Sequence, residues 1–113
     1  MAGYALTARI RGKVERESFD DLGAALDALE RRGHLLQGRA DADIVGGSLM
    51  RRFQPEDQVT ARLELSGRGV RGGVDVRGDG TAVPFTGRLR RSLVERRAGE
   101  SAYDALRRQM FRE

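Results

Sequence analysis

The chain has 113 residues, a formal net charge of +4, 34% charged and 39% hydrophobic residues, and no cysteine. That length fits one core in one domain spanning 1–113, and the missing thiols exclude disulfide-linked partners, thiolate metal sites and cysteine nucleophiles. No run reaches the roughly 18 apolar residues that a membrane span needs, and a charge at Arg9 interrupts the N-terminus before a secretory apolar stretch is complete, so a cytoplasmic setting is expected.

From Tyr4 to Val14 the even positions read Tyr, Leu, Ala, Ile, Gly, Val and the odd ones include Thr7, Arg9, Arg11 and Lys13. This period of two predicts one long strand with a single buried face. Ser18 or Asp20 then offers an oxygen to the free amides of a helix start, and Phe19, Leu22, Leu26 and Leu29 follow at helical spacing. Arg31, Arg32 and Gly33 read as a cationic last turn and a left-handed stop, which predicts a helix ending at Gly33.

Between His34 and Phe53, Ala40, Ala42 and Ile44 alternate with Asp41 and Asp43, and Gly46-Gly47 interrupts the run; a bulged strand or two short strands are expected. Gln54-Pro55-Glu56-Asp57 reads as a turn. Val59, Ala61, Leu63 and Leu65 alternate with Thr60, Arg62 and Glu64, a half-buried strand. After the glycine-rich 67–73 stretch the alternation resumes at Val74 and Val76, Gly78-Asp79-Gly80 makes a hairpin turn, and a last strand is expected from Ala82 to about Leu93. Glu100-Ser101 opens a helix whose Ala102, Leu106 and Met110 share a face.

The expected fold class is therefore α+β: a mainly antiparallel sheet of about five strands, in the order β-α-β-β-β-β-α, packed against an amphipathic helix with a second helix at the C-terminus.

Several strings carry a chemical reading. Gly67-Arg68-Gly69-Val70-Arg71-Gly72 has the glycine spacing of a dinucleotide-binding loop, but strand-like residues follow where a helix should open, so a hairpin loop is expected and no cofactor. The same arginine-glycine stretch has the composition of single-strand-binding segments. Asp41 and Asp43, joined by Asp75 or Asp79, are the only candidates for oxygen ligation of a cation; no third ligand is fixed by spacing, and a charged edge strand is the expected role. The one histidine, His34, follows the expected helix stop, no nucleophile elbow occurs, and no catalytic residue is assigned.

Of 21 basic residues all but Lys13 are arginine, with 17 acids interspersed among them. Alternation collects Arg9, Arg11, Lys13, Arg62, Arg77, Arg88 and Arg90 on the solvent face of the sheet. Such a face could hold a phosphate backbone. Glu15, Glu64 and Asp75 are expected on the same face, where cross-strand ion pairing would account for much of the pattern, and aromatics for base stacking are missing. The leading expectation is a non-catalytic binding or assembly module, a homodimer or a partner of another protein through the sheet edge or face. Binding of RNA or DNA backbone is the alternative; it expects the acids to turn away from the arginines.

Overall fold

The computed structural model describes residues 3–46, 59–87 and 90–112. Six strands form one antiparallel sheet in the order β2-β1-β3-β4-β5-β6, comprising β1 (Tyr4–Ile10), β2 (Lys13–Phe19), β3 (Val59–Gly67), β4 (Val70–Arg77), β5 (Ala82–Thr86) and β6 (Ser92–Leu93). Helix α1 (Leu22–Gly46) and helix α2 (Ala102–Arg112) lie on one side of it, α1 over β1 to β4 and α2 over β4 and β5. The class is the expected α+β; the order is β-β-α-β-β-β-β-α.

The core lies between sheet and helices. Leu6, Ala8, Leu63, Leu65, Val74 and Val76 from the strands meet Ala25, Leu26, Leu29 and Leu36 of α1 and Tyr103, Leu106 and Met110 of α2, all buried. The core residues of β1, β3 and β4 fall at every second position, as a pleated sheet with one covered face requires. Among the described residues no helix is long and apolar enough to cross a membrane.

Three expectations change. The long first strand is a hairpin: Arg11 and Gly12 both take positive φ, 50° and 83°, and pair Ile10 with Lys13. Two central residues of positive φ make the turn whose twist matches the flanking strands.

The helix expected to end at Gly33 runs on to Gly46, replacing the strand expected after His34. Its start is capped by Asp21, whose Oδ1 accepts the amide of Ala24 at 2.7 Å. Gly33 does not take a positive φ; a Cβ there would stand 2.0 Å from the Tyr103 hydroxyl. The glycine makes room for a neighbour rather than ending the helix. Leu26, Leu29, Gly33 and Leu36 form one continuous helical stripe.

The last strand stops at Thr86, Gly87 turns at φ 104°, and β6 returns as a two-residue partner, with Phe85 opposite Leu93 and Thr86 opposite Ser92. The strand expected around Leu49 to Phe53, the turn at Gln54–Asp57, and Arg88 lie outside the described residues. Helix α2 begins as expected. Ser101 Oγ accepts the amide of Asp104 and Asp104 Oδ2 accepts that of Ser101, each at 3.1 Å, a reciprocal cap.

Candidate functional site: the open face of the sheet

The side of the sheet away from the helices carries an array of ionic side chains. Register fixes its rows. One row crosses Val14, Arg9, Arg62, Asp75 and Val83; the next crosses Arg16, Thr7, Glu64, Gly73, Phe85 and Leu93; a third pairs Ser18, Ala5, Ser66 and Arg71. Residues opposite one another across antiparallel strands point to the same side, so these rows share one surface.

At its centre Arg62 grips Asp75 with two prongs, Nε to Oδ1 at 2.6 Å and Nη2 to Oδ2 at 3.0 Å. This paired fork raises the guanidinium pKa further above its ordinary value, the hydrogen bonds to Asp75 being the main cause and burial opposing it. Glu64 is held differently. Three guanidiniums share its carboxylate at long range: Arg9 at 3.8 Å and Arg91 at 3.5 Å on Oε1, and Arg71 at 3.4 Å on Oε2. The Glu64 side chain is 11% exposed, whereas those of Arg9, Arg71 and Arg91 are 57%, 39% and 37% exposed. The carboxylate is sunk beneath its partners, and the arginines keep donors turned to water.

Phe85 explains how so much charge can stand on one sheet. It lies on this open side, opposite Gly73 and 1% exposed. A Cβ at Gly73 would fall 2.9 Å from the ring and 2.0 Å from the Leu63 carbonyl oxygen, so only glycine leaves the ring a seat. The guanidinium carbons of Arg62 and Arg91 sit 5.8 and 5.2 Å from the ring centre. These are cation–π contacts that shield the ring and hold both cations in place. The arginine stems supply the apolar cover that a second layer of helices would supply elsewhere.

Of the residues assigned to this face from sequence, Arg9 and Arg62 stand directly opposite each other, and Arg77 sits at the end of β4 opposite Val59. Arg11 occupies the β1–β2 turn. Lys13 pairs with Ile10, and Glu15 with Ala8, so both point to the helix-bearing side, where Glu15 and Glu17 meet Arg32 of α1 at 3.3 and 3.2 Å. Arg90 is exposed in the connection to β6. The sequence reading missed Arg16, Arg71 and Arg91. The odd-numbered run Arg71, Gly73, Asp75, Arg77 carried the signal for Arg71, obscured by the surrounding glycines; Arg91 had none, because the chain reverses after Gly87.

The face thus holds Arg9, Arg16, Arg62, Arg71, Arg77 and Arg91 against Glu64 and Asp75, a surplus of four positive charges that equals the formal net charge of +4 of the whole chain. The acids do not turn away; they stand within the array. Among the described residues no cluster of three or more histidines and acids is placed to hold a metal ion. Asp41 and Asp43 belong to the last turns of α1.

Elsewhere, ion pairs tie the layers together. Arg107 Nη2 reaches Asp27 at 2.7 Å and Glu30 at 3.0 Å, joining α2 to α1. Tyr103 donates to Gln37 Oε1 at 2.7 Å, and Gln37 Nε2 donates to the Gly80 carbonyl at 2.9 Å. Burial of the phenol, with a smaller push from Glu30, raises its pKa well above the usual tyrosine value. Compared with known proteins, the chain matches no family model, no curated protein and no solved structure.

Proposed function

We propose that this chain is a non-catalytic binding module that holds the phosphodiester backbone of double-stranded nucleic acid on the open face of its sheet, in a cytoplasmic setting. Glu64 and Asp75 pair with the arginines, against what a backbone binder was expected to show; what supports this reading is the surplus that pairing leaves, six guanidiniums over two acids on one uncovered face, with the shared carboxylate beneath its partners. Protein–nucleic acid interfaces are polar and strongly positive, whereas the centre of a protein–protein interface calls for exposed aromatic or apolar anchors. Here the one aromatic on the face among the described residues, Phe85, is buried beneath arginines, and the exposed apolar residues Val14 and Leu93 stand on the edge strands β2 and β6, not at the centre. For the same reason single-strand recognition by base stacking has no platform. Backbone contacts read charge, not sequence.

A second copy of the chain is a weaker occupant. Two faces of equal positive surplus repel, and the β2 edge is poorly suited to self-pairing. In antiparallel registers about a two-fold axis normal to the sheet that pair five or more residues of Lys13–Phe19, Glu15, Arg16 or Glu17 faces its own copy, and like charges directly opposite destabilise a strand pair. The β6 edge offers two residues.

The test is a titration of a labelled, unphosphorylated DNA duplex, read by fluorescence anisotropy, beside poly-glutamate as a competing polyanion. Saturable duplex binding, weakened tenfold or more at low salt by Arg9→Gln/Arg71→Gln/Arg91→Gln and untouched by Arg31→Gln on the exposed side of α1, is the expected result. Binding of poly-glutamate but not duplex would replace this reading with an acidic protein partner. A dimer in light scattering that the triple variant dissolves would replace it with self-association.

A further inference from the structure

The two acids of the open face are held in different ways. Asp75 meets one partner, Arg62, in two hydrogen bonds of 2.6 and 3.0 Å, the lengths of a charged fork. Glu64 meets three partners and none closely: Arg71 at 3.4 Å, Arg91 at 3.5 Å and Arg9 at 3.8 Å, all beyond the roughly 2.7–2.9 Å of a charge-assisted bond. Among the described residues every donor that reaches its carboxylate is a guanidinium.

The strand register explains why three cations converge there. Glu64 stands between Thr7 of β1 and Gly73 of β4. Arg9 lies two residues from Thr7 toward one end of the sheet, and Arg71 two residues from Gly73 toward the other, so both are diagonal neighbours of Glu64 on the same face. Long side chains span such diagonals. Arg91 comes from the chain just before β6, across the Phe85 ring that Gly73 admits. Three guanidiniums gathered round one carboxylate form an anion seat, and the protein's own Glu64 fills it from below, at long range.

We infer that Glu64 is a built-in competitor for the phosphate backbone and sets the selectivity of the face: it keeps the seat of Arg9, Arg71 and Arg91 filled against single anions and yields it to phosphates joined in one chain. This rests on the backbone reading above, whose selectivity it names. A lone anion must draw the guanidiniums off Glu64 by itself, leaving a carboxylate that is 11% exposed without partners. Phosphates on one backbone share that penalty, because each later contact forms at high effective concentration once the first is made.

The experiment is a titration of an unphosphorylated DNA duplex, read by fluorescence anisotropy over a range of salt, with the wild type, Glu64→Gln and Glu64→Asp. Glu64→Gln keeps the shape and removes the competing charge, raising the surplus from four to five. The slope of log affinity against log salt should steepen from about −3.6 to about −4.5, with about tenfold tighter binding near 0.1 M salt. Glu64→Asp keeps the charge but draws the carboxylate back by one methylene, out of reach of contacts that are already long. It should bind about threefold more tightly at the wild-type slope, as release of weak ion pairs implies. Wild-type or weaker binding by Glu64→Gln would overturn the inference and make Glu64 a positioning residue for the arginines. A gain in Glu64→Gln with wild-type affinity in Glu64→Asp would also overturn it, since net charge alone would then account for the effect. If none of the three proteins binds duplex, the backbone reading falls, and inorganic phosphate titrated against the arginine Nε–Hε NMR signals decides the competition. Shifts at Arg9, Arg71 and Arg91 in Glu64→Gln, with about tenfold weaker binding by the wild type, would support it; equal binding by the two, or none by either, would overturn it.

Discussion

Replacing Gly33 by alanine sets two effects of opposite sign against each other. In a helix interior the change should stabilise by about 1 kcal/mol. Against it stands Tyr103, whose hydroxyl and two ring carbons would lie 2.0 and 2.6 Å from the new Cβ. The ring is 3% exposed and its hydroxyl is bound to Gln37, so it has nowhere to retreat. Overpacking of this kind costs about 1–3 kcal/mol, and the displaced hydrogen bond about another 1 kcal/mol. The net expectation for Gly33→Ala is a loss of about 1–3 kcal/mol, or roughly 4–12 °C in Tm for a domain of this size.

The offending atoms all belong to the outer part of the tyrosine ring, and leucine lacks them. In a Tyr103→Leu background Gly33→Ala should therefore change sign and stabilise by up to about 1 kcal/mol. Urea unfolding of the four proteins, fitted with a common m-value, gives the cycle. A loss of the same size in both backgrounds would refute the reasoning: it is what a left-handed glycine ending the helix at that position would produce, and it would return the helix end to Gly33.

Other perturbations test other parts of the structure. Phe85→Ala should cost about 3–4 kcal/mol in urea unfolding despite lying on the open side of the sheet; a loss below about 1 kcal/mol would mean that the arginines do not seal the ring. Asp21→Ala removes the cap of α1 and should cost about 1 kcal/mol by the same assay. Hydrogen bonds from Arg108, then from the Arg97 amide, hold the Glu100 carboxyl down at about 2. Its folded pKa is depressed, so its contribution is present above the ordinary glutamate range and is lost as pH falls from about 4.5 toward 2. The Tm difference between the wild type and Glu100→Gln should accordingly be larger at pH 6 than at pH 2, and a difference independent of pH would contradict the pairing.

Much of the fold was legible because alternation survives wherever a strand is covered on one side only. The buried positions of β3, namely Ala61, Leu63 and Leu65, are those the period of two selects, and Gly78-Asp79-Gly80 turns as its residues require, with Thr81 held by Asp79. The first hairpin was hidden because β2 is an edge strand. Its helix-side residues Lys13, Glu15 and Glu17 are exposed or reach Arg32 instead of a core, so no apolar signal marks the change of face, and Val14 reads as buried although it is 57% exposed. Helix α1 was cut short because Arg31-Arg32-Gly33 has the local signature of a C-terminus, while the reason for the glycine, Tyr103, lies seventy residues on. The cationic face was legible at Arg9, Arg62 and Arg77. The sharing of Glu64 among three arginines was not, since it depends on register and on the reversal after Gly87.

The most direct test of the central claim is the salt dependence of duplex binding. Neutralising about four phosphates, one for each surplus charge on the face, gives a slope of about −3.6 in log affinity against log salt, or roughly a 150-fold loss between about 50 and 200 mM. A slope near that value, reduced by about one for each of Arg9, Arg71 and Arg91 replaced by glutamine, is the expected result. Binding insensitive to salt, or none at the lowest salt, would contradict the assignment of the open face to a nucleic acid backbone.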